Sequence, residues 1–226
     1  MKIHYYGHSC FGLEIGSSFL LFDPFISPNP LSDPTLLDTL NPQYILISHG
    51  HFDHIADASP IAKRTQAPIL SNFEITLWLE KQGLSQVLPM NLGGNRSFDF
   101  GKIHYVQAAH SSSLPDGSYG GTAGGFIVEG PEGILYYAGD TALMSDMKLF
   151  GECFQIDIAL LPIGGTFTMG VDEAIRAARL LNCKQVMGVH FDTFEAIKID
   201  HEEAKKKFQD EEIPFHLLKM KESLIL

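Results

Sequence analysis

Residues 48–55, Ser-His-Gly-His-Phe-Asp-His-Ile, place three imidazoles and a carboxylate within six consecutive positions. A donor cluster this dense needs a rigid scaffold. The preceding Tyr44-Ile45-Leu46-Ile47 supplies one, reading as a short buried strand that starts after Asn41-Pro42. The cluster therefore begins where a strand stops, a common position for functional residues. Neutral imidazole and carboxylate are the usual ligands of zinc and similar divalent metals. His49 and His51 are two apart and share a side of an extended backbone, while Asp53 and His54 return from the next bend or helical turn.

The remaining pattern predicts three opening strands at 3–6, 11–15 and 19–22, with connections short enough for an antiparallel meander. A proline-bearing loop covers 24–34, and a short helical turn covers 36–40. A helix over 59–65 carries Pro60 at its first position, 68–70 is a strand, and Asn72 caps a helix running to Gln82 before Gly83. The second half repeats this plan loosely. Strands are expected at 102–109, 123–128, 134–138, 156–161 (with Asp157 inside) and 185–189. Residues 111–121 read as a flexible loop, helices as 143–150, 171–181 and 201–211, and late strands as 214–218 and 223–226. Strands precede helices in two groups, which predicts an α+β chain: an αββα sandwich of two mixed sheets with helices outside. One domain over 1–226 is expected, in two pseudo-equivalent halves of about 1–100 and 101–226.

Four predicted strands end near a donor, at His49, His110, Asp140 and His190. Sheets lying side by side bring those ends to one edge. The donors are then His49, His51, Asp53, His54, His110, Asp140 and His190. A catalytic metal takes about three protein ligands plus water, so seven donors predict two metals, about 3.5–4 Å apart. His49, His51 and His110 form one triad and Asp53, His54 and His190 the other, with Asp140 bridging through its two oxygens. Zinc is the first expectation, with manganese, iron or nickel as alternatives. Such ions lower the pKa of water to about 7 and stabilise an oxyanion.

His49-x-His51-x-Asp53-His54 followed by His110, Asp140 and His190 resembles the metallo-β-lactamase superfamily signature. Gly7-His8-Ser9-Cys10-Phe11, Asp23-Pro24-Phe25, Gly139-Asp140-Thr141, Gly164 to Gly170 and His190-Phe191-Asp192-Thr193-Phe194 narrow the resemblance. They are similar to a bacterial and archaeal branch of metal-dependent hydrolases related to ascorbate-phosphate lactonases. The resemblance implies a cytoplasmic hydrolase, with Asp53 and His8 as catalytic candidates and His8 reaching the metal rim as a substrate contact or proton donor. The branch also allows a homo-oligomer, although no stretch of the sequence defines an interface.

Composition restricts the substrate. The net charge is −11, and no Lys or Arg occurs in 3–62, 103–147 or 185–197, the intervals that hold every donor. Nucleic acid and anionic membranes are poor partners for such a chain, and phosphate sites usually recruit Arg or Lys. The expected partner is a small ester, lactone, thioester or phosphoester, with acyl chemistry favoured. An iron-containing redox or dioxygen-binding protein and a metal-dependent sensor without turnover are the alternatives. No apolar run is long enough for a membrane span, and no signal-peptide pattern precedes the first strand. Cys10, Cys153 and Cys183 are read as reduced, buried and unreactive. Asp23 is expected to orient a ligand histidine, Thr141 to cap the following helix, and Asp192 and Thr193 to line the site. His4, His104, His201 and His216 are read as ordinary surface or sheet residues. Loops 111–121 and 164–170 are expected to set substrate choice.

Overall fold

The computed structural model describes residues 1–226. Its strands are β1 (Lys2–Gly7), β2 (Cys10–Ile15), β3 (Ser18–Phe22), β4 (Tyr44–Leu46), β5 (Ile69–Asn72), β6 (Val87–Met90), β7 (Asn95–Phe98), β8 (Gly101–Gln107), β9 (Gly124–Gly130), β10 (Gly133–Tyr137), β11 (Ile158–Pro162), β12 (Val186–Val189), β13 (Phe215–His216) and β14 (Ser223–Ile225). The helices are α1 (Leu36–Thr39), α2 (Phe52–Ile55), α3 (Ala58–Thr65), α4 (Phe73–Lys81), α5 (Asp146–Cys153), α6 (Val171–Leu181) and α7 (His201–Asp210). No helix is long and apolar enough to cross a membrane.

Two seven-stranded sheets form, in the orders β14-β1-β2-β3-β4-β5-β6 and β13-β12-β11-β10-β9-β8-β7. Each begins with antiparallel pairs and continues with parallel ones: β3, β4, β5 and β6 in the first, β10, β11, β12 and β13 in the second. The sheets do not divide at residue 100. β7 pairs with β8 in the second sheet, and β14 returns from the C-terminus to pair with β1.

Alternation along β4 shows how the layers form. Leu46 joins the core between the sheets, whereas Ile45 faces the opposite side, with Ile61 and Ala62 of α3 and Ile75 and Leu79 of α4. Phe11 and Phe22 stack at 4.3 Å and meet Tyr137 of the other sheet at 5.0 and 5.8 Å. Met147 of α5 and Ala174, Ala177 and Leu181 of α6 complete the second outer layer. Helix α4 starts where the sequence indicates, Asn72 accepting from the Ile75 amide at 2.9 Å.

Several local expectations change. Helix α3 begins at Ala58, so Pro60 is its third residue and not its first. Asp157 precedes β11 and accepts from the Ile134 amide and Lys184, tying β10 to its neighbour. β6 and β7 have no counterpart among the predicted strands. Pro89 interrupts one, and the other reads Asn-Arg-Ser-Phe, so both lack a hydrophobic alternation. Residues 111–121 are not a loose loop. Ser112 Oγ donates to the Gly120 carbonyl, Leu114 and Ser118 pair through their backbones, and Asn72 Nδ2 donates to Gly120 at 2.7 Å.

Candidate metal centre

The parallel strands of both sheets, with β1 and β8, deliver their C-terminal ends to one edge, as open α/β sheets do at their ligand sites. Ser48 and His49 follow β4. His51 is extended (φ −64°, ψ 147°) and leads into α2, whose first turn presents Asp53 and His54. His110 and Asp140 stand shortly beyond β8 and β10, and His190 directly follows β12. The halves are stitched together here. Tyr105 Oη and the Gly124 amide both donate to the Ser48 carbonyl, and the His190 amide donates to the His8 carbonyl at 2.9 Å.

All seven predicted donors converge, in the two expected triads. One comprises His49, His51 and His110; the other comprises Asp53, His54 and His190, with His8 joining it. His49 Nε2 lies 3.0 Å from His51 Nδ1. Asp140 stands between the triads, but one oxygen does the facing: Oδ2 is 3.0 Å from His190 Nε2, 3.3 Å from His54, 3.6 Å from His110 and 3.9 Å from His49. Its Oδ1 is buried without a hydrogen-bond partner.

These residues fit divalent metal binding. His54 Nε2 and Asp140 Oδ1 are buried without hydrogen bonds, an arrangement that ordinarily costs stability unless a ligand completes it. The outward-facing nitrogens are already assigned by their neighbours. Asp23 accepts from His54 Nδ1 at 2.7 Å, from the Ser48 amide at 2.7 Å, from Ser48 Oγ and from Tyr137 Oη at 2.6 Å. Ser48 Oγ in turn lies 3.0 Å from His49 Nδ1. One buried carboxylate therefore fixes a ring in each triad, the usual second partner of a ligating histidine.

The electrostatics follow from this crowding. Burial drives His49 far below the ordinary imidazole range, reinforced by the charge of His54. Burial opposes charge on His54 and His190 as well, but nearby carboxylates win: Asp140, Asp53 and Asp23 raise His54, and Asp140 and Asp53 bring His190 up to about 9. Asp53 and Asp140 are held below the usual carboxylate range despite burial, by the facing imidazoles.

A family model for the β-lactamase superfamily domain matches residues 19–191, the span that carries all seven donors. The chain belongs to the metallo-β-lactamase superfamily. A metal-dependent hydrolase of Methylacidiphilum infernorum is 98% identical over 226 residues, covering 100% of both chains, and one from Christiangramia forsetii is 51% identical over 227 residues at the same coverage. Among solved structures, Igni18, a metallo hydrolase of the archaeon Ignicoccus hospitalis, is 33% identical with a TM-score of 0.89, covering 99% of this chain and 97% of that one. The metallo-β-lactamase architecture of two mixed sheets with outer helices is thus the one expected from the sequence.

Several neighbouring residues take other places than expected. His8 is 1% exposed and lies behind Asp53, not at the rim of the site. Its Nε2 is 3.0 Å from Asp53 Oδ2 and its Nδ1 2.9 Å from Thr193 Oγ1. The rim role is therefore corrected to one of holding Asp53. Burial lowers His8 to about 4, so it works as a neutral ring that donates to Asp53 and accepts from Thr193. Asp192 turns away from the site to His201 and the Ile199 amide. Thr141 is not a helix cap, since α5 starts at Asp146; its Oγ1 accepts from the Ala109 amide beside His110. Cys10 is buried, but Cys153 is exposed.

The backbone carries strain that no residue pattern signals. His8 (φ 56°), Asp23 (φ 41°) and His190 (φ 54°) are all left-handed, a conformation costing about 1–3 kcal/mol each in non-glycine residues. Gly139 has the same need before Asp140: at φ 61°, a Cβ there would lie 2.5 Å from the Gly124 carbonyl oxygen.

Above the donors lies a cavity of about 300 Å³ lined by His51, Asp53, His110, Asp140, His190, Ser111, Phe167 and Phe194. Ser111 and Phe167 belong to the two loops expected to set specificity, and Phe194 adds the 190–194 segment, where Asp192 and Thr193 are expected from the sequence to line the site.

Proposed function

We propose that this metal-dependent hydrolase holds two divalent cations and cleaves small uncharged acyl compounds, esters or lactones, in preference to phosphodiesters. One observation carries the preference: no Lys or Arg lines the cavity, so no protein cation there pairs with a phosphodiester's anionic oxygen. His49, His51 and His110 would hold one cation and Asp53, His54 and His190 the other, with the Asp140 carboxylate between the two triads. When bound, the cations would lower the pKa of water and stabilise developing negative charge on the substrate oxygen.

The chain's own residues supply orientation and exclusion. Asp53 faces the cavity, where its carboxylate accepts a hydrogen bond from the attacking water and aims it. His8 holds Asp53 Oδ2 from behind, and Thr193 holds His8. The Phe167 and Phe194 rings keep part of the cavity wall apolar. His8→Ala should therefore reduce turnover by about ten- to a hundredfold, the range for a lost supporting partner, while two equivalents of metal are still measured.

Chelation followed by metal add-back, assayed on p-nitrophenyl esters, lactones, thioesters and bis(p-nitrophenyl) phosphate, tests the reading. Acyl turnover should disappear on chelation, return with two equivalents, and exceed phosphodiester turnover in kcat/KM. Acyl turnover that survives chelation, or faster cleavage of the phosphodiester, overturns it.

A further inference from the structure

The mouth of the cavity carries aromatic side chains that folding does not use. Phe167 is 58% exposed and Phe194 40% exposed, and both line the cavity directly. Phe52, immediately before Asp53, is 54% exposed. Buried Phe25 joins two of them, with ring centroids 6.3 Å from Phe194 and 5.9 Å from Phe52. Single exposed apolar residues are ordinary, but several around one concave polar floor mark a binding surface.

The backbone also holds Phe167 in place. Thr166 is left-handed at φ 54°, the Gly165 amide donates to the Met169 carbonyl at 3.0 Å, and Thr166 Oγ1 donates to the Ala196 carbonyl at 2.8 Å. That last bond ties the Phe167 turn to the segment carrying Phe194. The two rings are thus presented by linked loops on one side of the donors, and Ser111 provides the cavity's only hydroxyl.

From this juxtaposition we infer that the substrate is an uncharged ester or lactone bearing an alkyl or aryl group, which packs against Phe167 and Phe194 while its acyl carbon lies over the donors. The inference rests on the acyl-hydrolase reading above and adds what determines choice within that class.

The test uses the metal-loaded protein with two readouts. The first is kcat/KM on p-nitrophenyl acetate, butyrate and hexanoate, expected to rise about two- to fourfold per methylene as the chain buries against the rings. The second is calorimetric binding of acetamide and hexanamide, which involves no turnover; hexanamide should bind at least about tenfold tighter. Phe167→Ala and Phe194→Ala should flatten both series with metal stoichiometry unchanged, and Phe167→Leu should restore part of the slope. Chain-length independence in the wild type, or an undiminished slope in both alanine variants, overturns the inference. If no ester is turned over while the hexanamide preference persists and is lost in the variants, the apolar subsite stands and the acyl-hydrolase reading falls.

Discussion

Asp140→Asn should reduce bound metal from two equivalents to one or none and cut hydrolysis by more than about a hundredfold, the upper range for losing even a supporting partner of a metal ligand. The size of the effect follows from geometry. Asp140 is 2% exposed, and its Oδ2 is within 3.9 Å of one ring nitrogen from each of His49, His54, His110 and His190. Asp23, the other carboxylate near both triads, lies behind the rings at His54 Nδ1 and Ser48, so it cannot take over this position. Asparagine keeps the shape and removes the charge, which separates electrostatics from packing. Metal analysis of the purified variant is the decisive measurement; two retained equivalents would refute the shared position.

The metal-stripped protein offers a second check on the same residue. His190 is raised to about 9, against burial, chiefly by Asp140. A group whose pKa rises on folding stabilises fully below its unfolded value, about 6.5, and loses that contribution as pH climbs through the folded value. Metal-free wild type should therefore lose stability between about pH 6.5 and 9, while metal-free Asp140→Asn should lose much less over that window. Chemical denaturation at several pH values would show the difference.

What the sequence could disclose follows from which interactions are local. The cluster at residues 49–54 is local in both chain and space, so its chemistry is evident from residue types alone. His110, Asp140 and His190 were also recognisable, because each closes an apolar strand and such ends share an edge. The partners that orient them were harder to read. That His8 backs Asp53, and that Thr141 steadies the chain beside His110, depend on contacts between the two halves and on left-handed backbone that no periodicity encodes. β7 shows the same limit: it is short and mostly polar and belongs to the sheet of the other half, so pairing and not pattern makes it a strand.

Asp23 yields the other large effect, and its two substitutions should differ. It is fully buried and accepts four hydrogen bonds: two from Ser48, one from Tyr137 and one from His54. Asp23→Ala strands these donors away from water, a loss of about 3–5 kcal/mol as for a broken buried charged network. In a chain of this length that lowers Tm by on the order of 10 °C. Asp23→Asn should fold better, since its carbonyl can still accept from the Ser48 amide and the Ser48 and Tyr137 hydroxyls can reorient. The His54 ring cannot reorient in the same way. An amide NH₂ facing Nδ1 needs an acceptor there, which sends the imidazole proton to Nε2, the nitrogen that faces Asp140 and belongs to the metal. Asp23→Asn should therefore retain most of the wild-type Tm yet bind metal at the His54 triad about ten- to a hundredfold more weakly. Nitrogen-15 spectra of labelled histidine in the metal-free variant would report the loss of the proton from His54 Nδ1 directly. Wild-type metal affinity with the proton still on Nδ1 would mean that Asp23 supports the fold without setting the tautomer of His54.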